Sequence, residues 1–321
     1  MSDSAGVIGV LRNAVSSQKQ LVSTFSGLFI LGLVFTFLSP YFLSVNNLLT
    51  VATQTAVIAI IAVGQTYVLI TGGIDLAIGS NMALSGMLAG ICMRAGLPVP
   101  VAIFTGLLTG VTAGAVSGAL IAYAKIPPFI ATLGTMTICR GLALTVTQAI
   151  PITGLPKTFT RWGTDSTLGI PNAVISMILL TIIFGFILAK TKLGRHIYAT
   201  GSNYEAARLS GVNTKGVLMT VYIFSGLLAA FAGLIMAARI ISAQPAAGDG
   251  YELDAVASSV IGGVSTMGGE GAVSGTFIGA FIIGVLRNGL NLVGVSPFIQ
   301  KIVIGIVIVG SVFIDKIRRK D

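Results

Sequence analysis

The residues of this chain with the means to do chemistry are few, and their spacing suits recognition rather than bond making. There is a single histidine, His196, and the two cysteines, Cys92 and Cys139, lie far apart in apolar runs. No metal-ligand spacing results and no nucleophile stands beside an imidazole; buried apolar packing accounts for the thiols. No Gly-Lys dipeptide occurs anywhere, so a phosphate-cradling G-x-x-x-x-G-K-[ST] loop is ruled out. We therefore read no catalytic residue, no metal and no cofactor on this chain.

What remains is a scatter of polar side chains in apolar surroundings. Asp75 follows Gly72-Gly73. It is either a helix N-cap or, since carboxylates within a membrane are expensive, a gate or coupling group. Arg140 lies mid-segment and has to face the bundle, a wet cavity or an interface. Asn288 and Asn291 stand i, i+3, set for a ligand's hydroxyls or for a hydrogen bond between helices. Asp249, Glu252 and Asp254 form an acidic cluster, either a solvated loop or salt-bridge partners for a docking protein. The sharpest polar element is Glu205-Ala206-Ala207-Arg208-Leu209-Ser210-Gly211. Its alanines and leucine favour a short helix, Glu205 suits the start, and Gly211 ends it.

The elements that position these residues follow from composition. Of 321 residues 54% are hydrophobic and 9% charged, with a mean hydropathy of +0.96, where a soluble domain carries about a quarter charged. Such a chain cannot cover a water-facing surface, and its solvent is the bilayer. The 41 glycines fit membrane helices, whose backbones approach closely at small residues. The +9 formal charge is interleaved with apolar spans, so membrane orientation explains it better than nucleic acid does.

No charge falls between Lys19 and Asp75, a stretch long enough for two spans. The first, over 21–38, has the length of a span, which needs about 20 residues, and lacks a small-x-small cleavage pattern; it reads as a retained anchor. Further apolar segments run over about 76–93, 98–122, 127–148, 172–189, 217–238, 255–264, 271–286 and 297–314. The fold expected is an all-α membrane protein of about ten transmembrane helices, some short or broken. Residues 1–20 form a cytoplasmic segment, 21–314 the transmembrane domain with a cytoplasmic loop at 190–216, and 315–321 a cytoplasmic tail.

Orientation comes from Lys and Arg in the loops. One side collects Arg12, Lys19, Lys125, Lys190, Lys192, Arg195, Arg208, Lys215, Lys316, Arg318, Arg319 and Lys320; the other holds Arg94, Lys157, Arg161, Arg287 and Arg239. The bias puts both termini in the cytoplasm. It also puts residues 149–171, with the sole tryptophan Trp162, outside, as an interfacial anchor or a docking or lid surface. Gly106, Gly110, Pro128, Phe129 and Ile130 are matched at an offset of 169 by Gly275, Gly279, Pro297, Phe298 and Ile299. This is either coincidence in a Gly-rich chain or an inverted repeat, a common transporter architecture.

The loop around Glu205 resembles the coupling loop of ATP-binding-cassette importer permeases, which docks into a groove on the ATPase. TGGIDLAIGS (71–80), YATGSNYEAARLSGV (198–212), GYELDAVASSVIGGVSTMGGEGAVSGTFIGA (250–280) and NGLNLVGVSPFIQ (288–300) are similar to the ribose-type sugar permeases of that superfamily. The resemblance covers about residues 39–314. It implies a homodimeric pore in the inner membrane, a separate cytoplasmic ATPase that binds ATP and Mg, a periplasmic sugar-binding protein, and a monosaccharide substrate such as ribose. Glu205, Ala206, Ala207, Arg208 and Gly211 would be the coupling loop, Asp75, Arg140, Asn288 and Asn291 pathway or gate candidates, and Asp249, Glu252 and Asp254 docking candidates for the binding protein. The rivals are a permease for branched-chain amino acids or nucleosides and a self-contained secondary transporter, which would need paired intramembrane acids or an ion cage. Because the phosphate loop is missing, the purified chain is expected neither to bind nor to hydrolyse ATP; stoichiometric ATP binding in equilibrium dialysis would overturn this.

Overall fold

The computed structural model describes residues 22–318; the segment 1–20 and the basic residues Arg319 and Lys320 lie outside the described residues. Long apolar stretches without internal charge fold into helices, because in an apolar solvent a helix satisfies every backbone group within itself. In chain order they are α1 (Val22–Leu38), α2 (Val45–Ile70), α3 (Ile78–Arg94), α4 (Val99–Ala122), α5 (Pro128–Thr145), α6 (Lys157–Thr164), α7 (Asn172–Lys190), α8 (Lys192–Ser202), α9 (Tyr204–Leu209), α10 (Thr214–Arg239), α11 (Tyr251–Ile261), α12 (Val273–Leu292) and α13 (Pro297–Arg318). The only strands among the described residues are a two-residue hairpin, Ser166–Thr167 with Ile170–Pro171. Five helices, α2, α4, α7, α10 and α12, are long and apolar enough to cross a membrane. The last helix continues through Arg318, so part of the expected tail belongs to it.

The centre is built on α2 and α10. Ala56 to Val63 of α2 are all buried, as are Leu228, Ala229, Ala230, Ala232, Leu234 and Ile235 of α10. Helices apolar all round occupy a core. By contrast α1, α4, α5, α7 and α13 turn large apolar side chains outward, among them Phe29, Phe104, Phe129, Phe186 and Ile302, as a lipid-facing or subunit-facing surface does.

Shifted by 169 residues, Val45–Ile70 falls on Thr214–Arg239 and Pro128 on Pro297, so the bounds of α2 and α10 correspond end to end. The packing corresponds as well: α10 packs on α3 and α4, while α2 packs on α11 and α12. The central helix of each half is thus embraced by the other half. The matched glycines all face backbone carbonyls, though not on equivalent helices. A side chain on Gly110 would strike the Gly226 carbonyl of α10, and one on Gly275 or Gly279 would strike the carbonyls of Gly262 or Ser258 at α11.

Segment 149–171 is ordered rather than a bare loop. Ile152 bridges Ala243, and α6 packs against α10. Trp162 donates its Nε1–H to Ser176 Oγ at 2.9 Å and lies edge-on to Phe159 and Phe231. Its ring is partly buried between α6, α7 and α10.

The glycine contacts make a sharp expectation. Gly114 faces the Tyr222 backbone and lies 3.1 Å, measured from an ideal Cβ, from Ile223 Cα, whereas Gly134 faces open space. Gly114→Leu should lower stability by about 1–3 kcal/mol, the usual overpacking cost, with a visibly earlier melting transition in detergent. Gly134→Leu should melt like the parent.

Candidate functional site

The segment between α7 and α10 is an independently capped pair of short helices. Thr191 Oγ1 accepts from Gly194 N–H at 3.2 Å and starts α8; Asn203 Oδ1 accepts from Ala206 N–H at 2.9 Å and starts α9. At the end of α9 the Gly211 N–H donates to Arg208 O at 3.0 Å and the Val212 N–H to Ala207 O at 3.1 Å. This two-bond closure needs a left-handed residue after the cap, and Gly211 has φ +86°. No atom lies within 4 Å of where a Gly211 side chain would begin. Its glycine is therefore required here by backbone conformation, not by close approach within the chain.

On α9, Arg208 donates to Glu205 Oε2 at 2.7 and 2.9 Å. Both side chains are more than half exposed, so the pair contributes little stability and stands free for a partner. Ala207 is buried underneath. The loop is tied to the bundle by Tyr198, which donates to Gly271 O at 2.6 Å; burial holds its phenol above the ordinary range, keeping it a neutral donor. Gly201 lies against the backbone of Ile70 and Gly269, so α8 sits directly on the end of α2.

Asp75 lies in the break between α2 and α3. It is buried, accepts from Ala77 N–H at 2.9 Å through Oδ1, and accepts from Ser225 Oγ–H of α10 at 2.7 Å through Oδ2. The cap position of α3 is Ala77, so Asp75 closes the turn just before the helix and reaches across to α10. Two turns on, Asn81 directs its Nδ2 toward Gly110 O at 3.3 Å and Gly226 O at 3.4 Å. It bridges two carbonyls that the glycines leave accessible. Neither Ser225 nor Asn81 stands out in the sequence, since each is one of several small uncharged polar residues in an apolar helix.

The remaining polar residues scatter around the opposite end. Arg140 donates from Nη1 to Pro245 O at 2.7 Å and Ala247 O at 3.0 Å, pinning the turn before α11. Asn288 pairs with Asn47 through two side-chain bonds of 2.9 and 3.0 Å, joining α12 to α2, and Asn291 accepts from Gln300 at 2.8 Å. These are contacts between helix elements. The acidic cluster divides. Asp254 has no exposed side-chain surface and binds Arg287 at 2.6 Å, which leaves no face for an outside protein. Asp249 is exposed and lies 3.7 Å from Lys301; Glu252 is half-buried beside Gly79. The Asp254–Arg287 pair escaped sequence reading because its members are 33 residues apart, on two helices.

A bundle of apolar helices, five of them long enough to cross a bilayer, with a capped polar loop between two of them, is the architecture of a helical membrane protein. The model of the family described as "Branched-chain amino acid transport system / permease component" matches residues 47–312, and the chain belongs to that family. Among its relatives are ribose import permease protein RbsC of Bacillus subtilis, 46% identical over 92% of this chain and 93% of that protein, and the protein of the same name in Escherichia coli, 43% identical over 93% of each. The D-allose transport system permease protein AlsC of Escherichia coli is 38% identical over 92% of each chain. No solved structure matches this chain. Family and helices together make it a multi-pass membrane protein and a transport subunit rather than an enzyme.

The pair, with its carboxylate fully buried and its guanidinium partly exposed, yields a stability prediction. Removing one partner of a buried ion pair costs about 3–5 kcal/mol, and replacing both by apolar groups is often near neutral. Asp254→Ala should therefore lower the melting temperature of the purified protein markedly. Adding Arg287→Met should recover most of the loss; equal melting of the single and double variants would show that the pair is not what holds α11 to α12.

Proposed function

We propose that the chain is the permease subunit of an ATP-driven importer that carries a neutral monosaccharide, ribose or a similar pentose or hexose, across the inner membrane. The observation that carries this is the set of relatives named for ribose and D-allose transport, aligned over about nine tenths of the chain at 38–46% identity. Two chains form the pore, a separate cytoplasmic ATPase holds ATP and Mg, and a periplasmic binding protein delivers sugar. Ten of the helices, α1–α5, α7 and α10–α13, are the spans. The two four-helix halves are an inverted repeat, which leaves α8 and α9 with both termini in the cytoplasm and Asp249 and Glu252 outside, where the binding protein docks.

The family's printed description supports a second reading, a branched-chain amino acid permease. A zwitterion needs fixed charges along its route. Among the described residues the buried or half-buried Asp75, Arg140, Arg239, Asp254 and Arg287 are engaged by the chain's own groups, which leaves Glu252 as the half-buried charge outside that set and favours an uncharged cargo. A self-contained transporter is disfavoured for the same reason.

In this reading α9 transmits ATPase closure to α7 and α10. A contact couples two states only if its energy differs between them. Glu205→Lys reverses the charge offered to the ATPase, and Gly211→Val forces a branched residue into left-handed backbone at a cost of about 1–2 kcal/mol. Neither lies in a span. In vesicles holding the whole importer, ribose uptake is expected to fall more than about tenfold, the equivalent of 1.4 kcal/mol, at unchanged insertion and with normal sugar binding by the periplasmic protein. Normal uptake by both variants would favour a transporter that works alone.

A further inference from the structure

A half-open cavity of 510 Å³ lies between the α8–α9 loop and the adjacent ends of α2, α4 and α10. That volume is within the range of small-molecule sites, about 300–1,000 Å³. One wall is the loop itself, from Thr200 through Glu205; the other is the bundle, with Thr71, Ile126, Leu218 and Tyr222. The walls alternate in character. Thr71 and Thr200 spend their hydroxyl protons on Val68 O and His196 O and so present acceptors. The Asn203 carbonyl oxygen is taken up by Ala206, leaving its amide N–H₂ to donate. Tyr222 closes the inner end. It is fully buried, its hydroxyl has no hydrogen-bond partner among the described residues, and it fits against Gly73, which also lines the cavity. Fixed charge nearly cancels, with one lysine, Lys125, and one glutamate, Glu205, on the rim.

We infer that this cavity is a binding site for a neutral monosaccharide entering from the inner face, and that its occupant ties the coupling loop to the helix bundle. The inference rests on the sugar-permease reading and on the cytoplasmic position of α8 and α9. Spaced acceptors and donors over an apolar floor match a sugar's hydroxyls and C–H faces, whereas an anion would require net positive charge and an apolar amino acid has no use for the hydroxyl lining. A molecule lodged between two parts that must move relative to one another stabilises whichever state it fits.

The test uses the full chain in detergent, with Cys92→Ala and Cys139→Ala as background and a reporter thiol at Ser202→Cys, which lines the cavity, or at Ser210→Cys, which is exposed on the same loop outside it. D-Ribose at about four times its Kd, an occupancy near four fifths, should slow alkylation at position 202 by about fivefold and leave position 210 unchanged. Tyr222→Phe should weaken that protection by about tenfold in ribose concentration, as loss of one buried hydrogen bond does. Unchanged alkylation at 202, equal slowing at 210, or protection by leucine or ribose 5-phosphate but not by ribose would overturn the site. Ribose and leucine uptake are measured separately in vesicles holding the parent importer. Ribose uptake without protection at 202 defeats the cavity alone, and leucine uptake in place of ribose defeats the transport reading.

Discussion

The contact on which the rest of this structure depends is the approach of α10 to α4 and α3 at Gly110, Gly114, Gly226 and Gly233, where backbone meets backbone. In a bilayer there is no hydrophobic drive to bring helices together, so close packing and hydrogen bonds between helices must do it. Glycine supplies the proximity, and proximity brings polar groups within reach. Asn81 then bridges the carbonyls of Gly110 and Gly226, and Asp75 takes the Ser225 hydroxyl. A side chain larger than hydrogen at Gly110 or Gly226 would remove both kinds of interaction together.

The polar residues fall into two sets with different duties. Arg140, Asn47, Asn288, Asp254 and Arg287 are spent on the fold, each holding a turn or a neighbouring helix. Glu205 and Arg208 are spent on nothing inside the chain, since their mutual ion pair is exposed. A solvated pair that gives the fold little is the kind of group that a partner surface can recruit without destabilising its host.

Much of this was legible in the sequence because its signals are local. Uninterrupted apolar runs gave the helices, and the step from Glu205 to Gly211 spelled out a short helix ended by glycine that the hydrogen bonds reproduce, while its Asn203 cap went unread. The five matched residues of the repeat were ambiguous alone, yet the helix bounds and the exchanged packing of α2 and α10 follow the same offset. What stayed hidden is non-local. Nothing near Asp254 announces Arg287, and nothing near Asp75 announces Ser225, 150 positions away. Residues 149–171 read as an outer anchor or a docking or lid surface; what the sequence did not announce is the seat of α6 against α10, with Trp162 edge-on to Phe231.

The exchange of central helices sets a schedule for biogenesis. α2 leaves the ribosome early, while α11 and α12, against which it packs, begin only at Tyr251 and Val273. At about 5–20 residues per second, a nascent chain holds α2 in the bilayer for roughly ten to forty seconds before its partners exist. During that interval Thr55, Gln65 and Thr66, all fully buried at completion, face lipid or the insertion machinery. Neither half can mature ahead of the other. A chain interrupted before α12 would already seat α10 on α3, α4 and α2 but would leave α2 without its α12 contact.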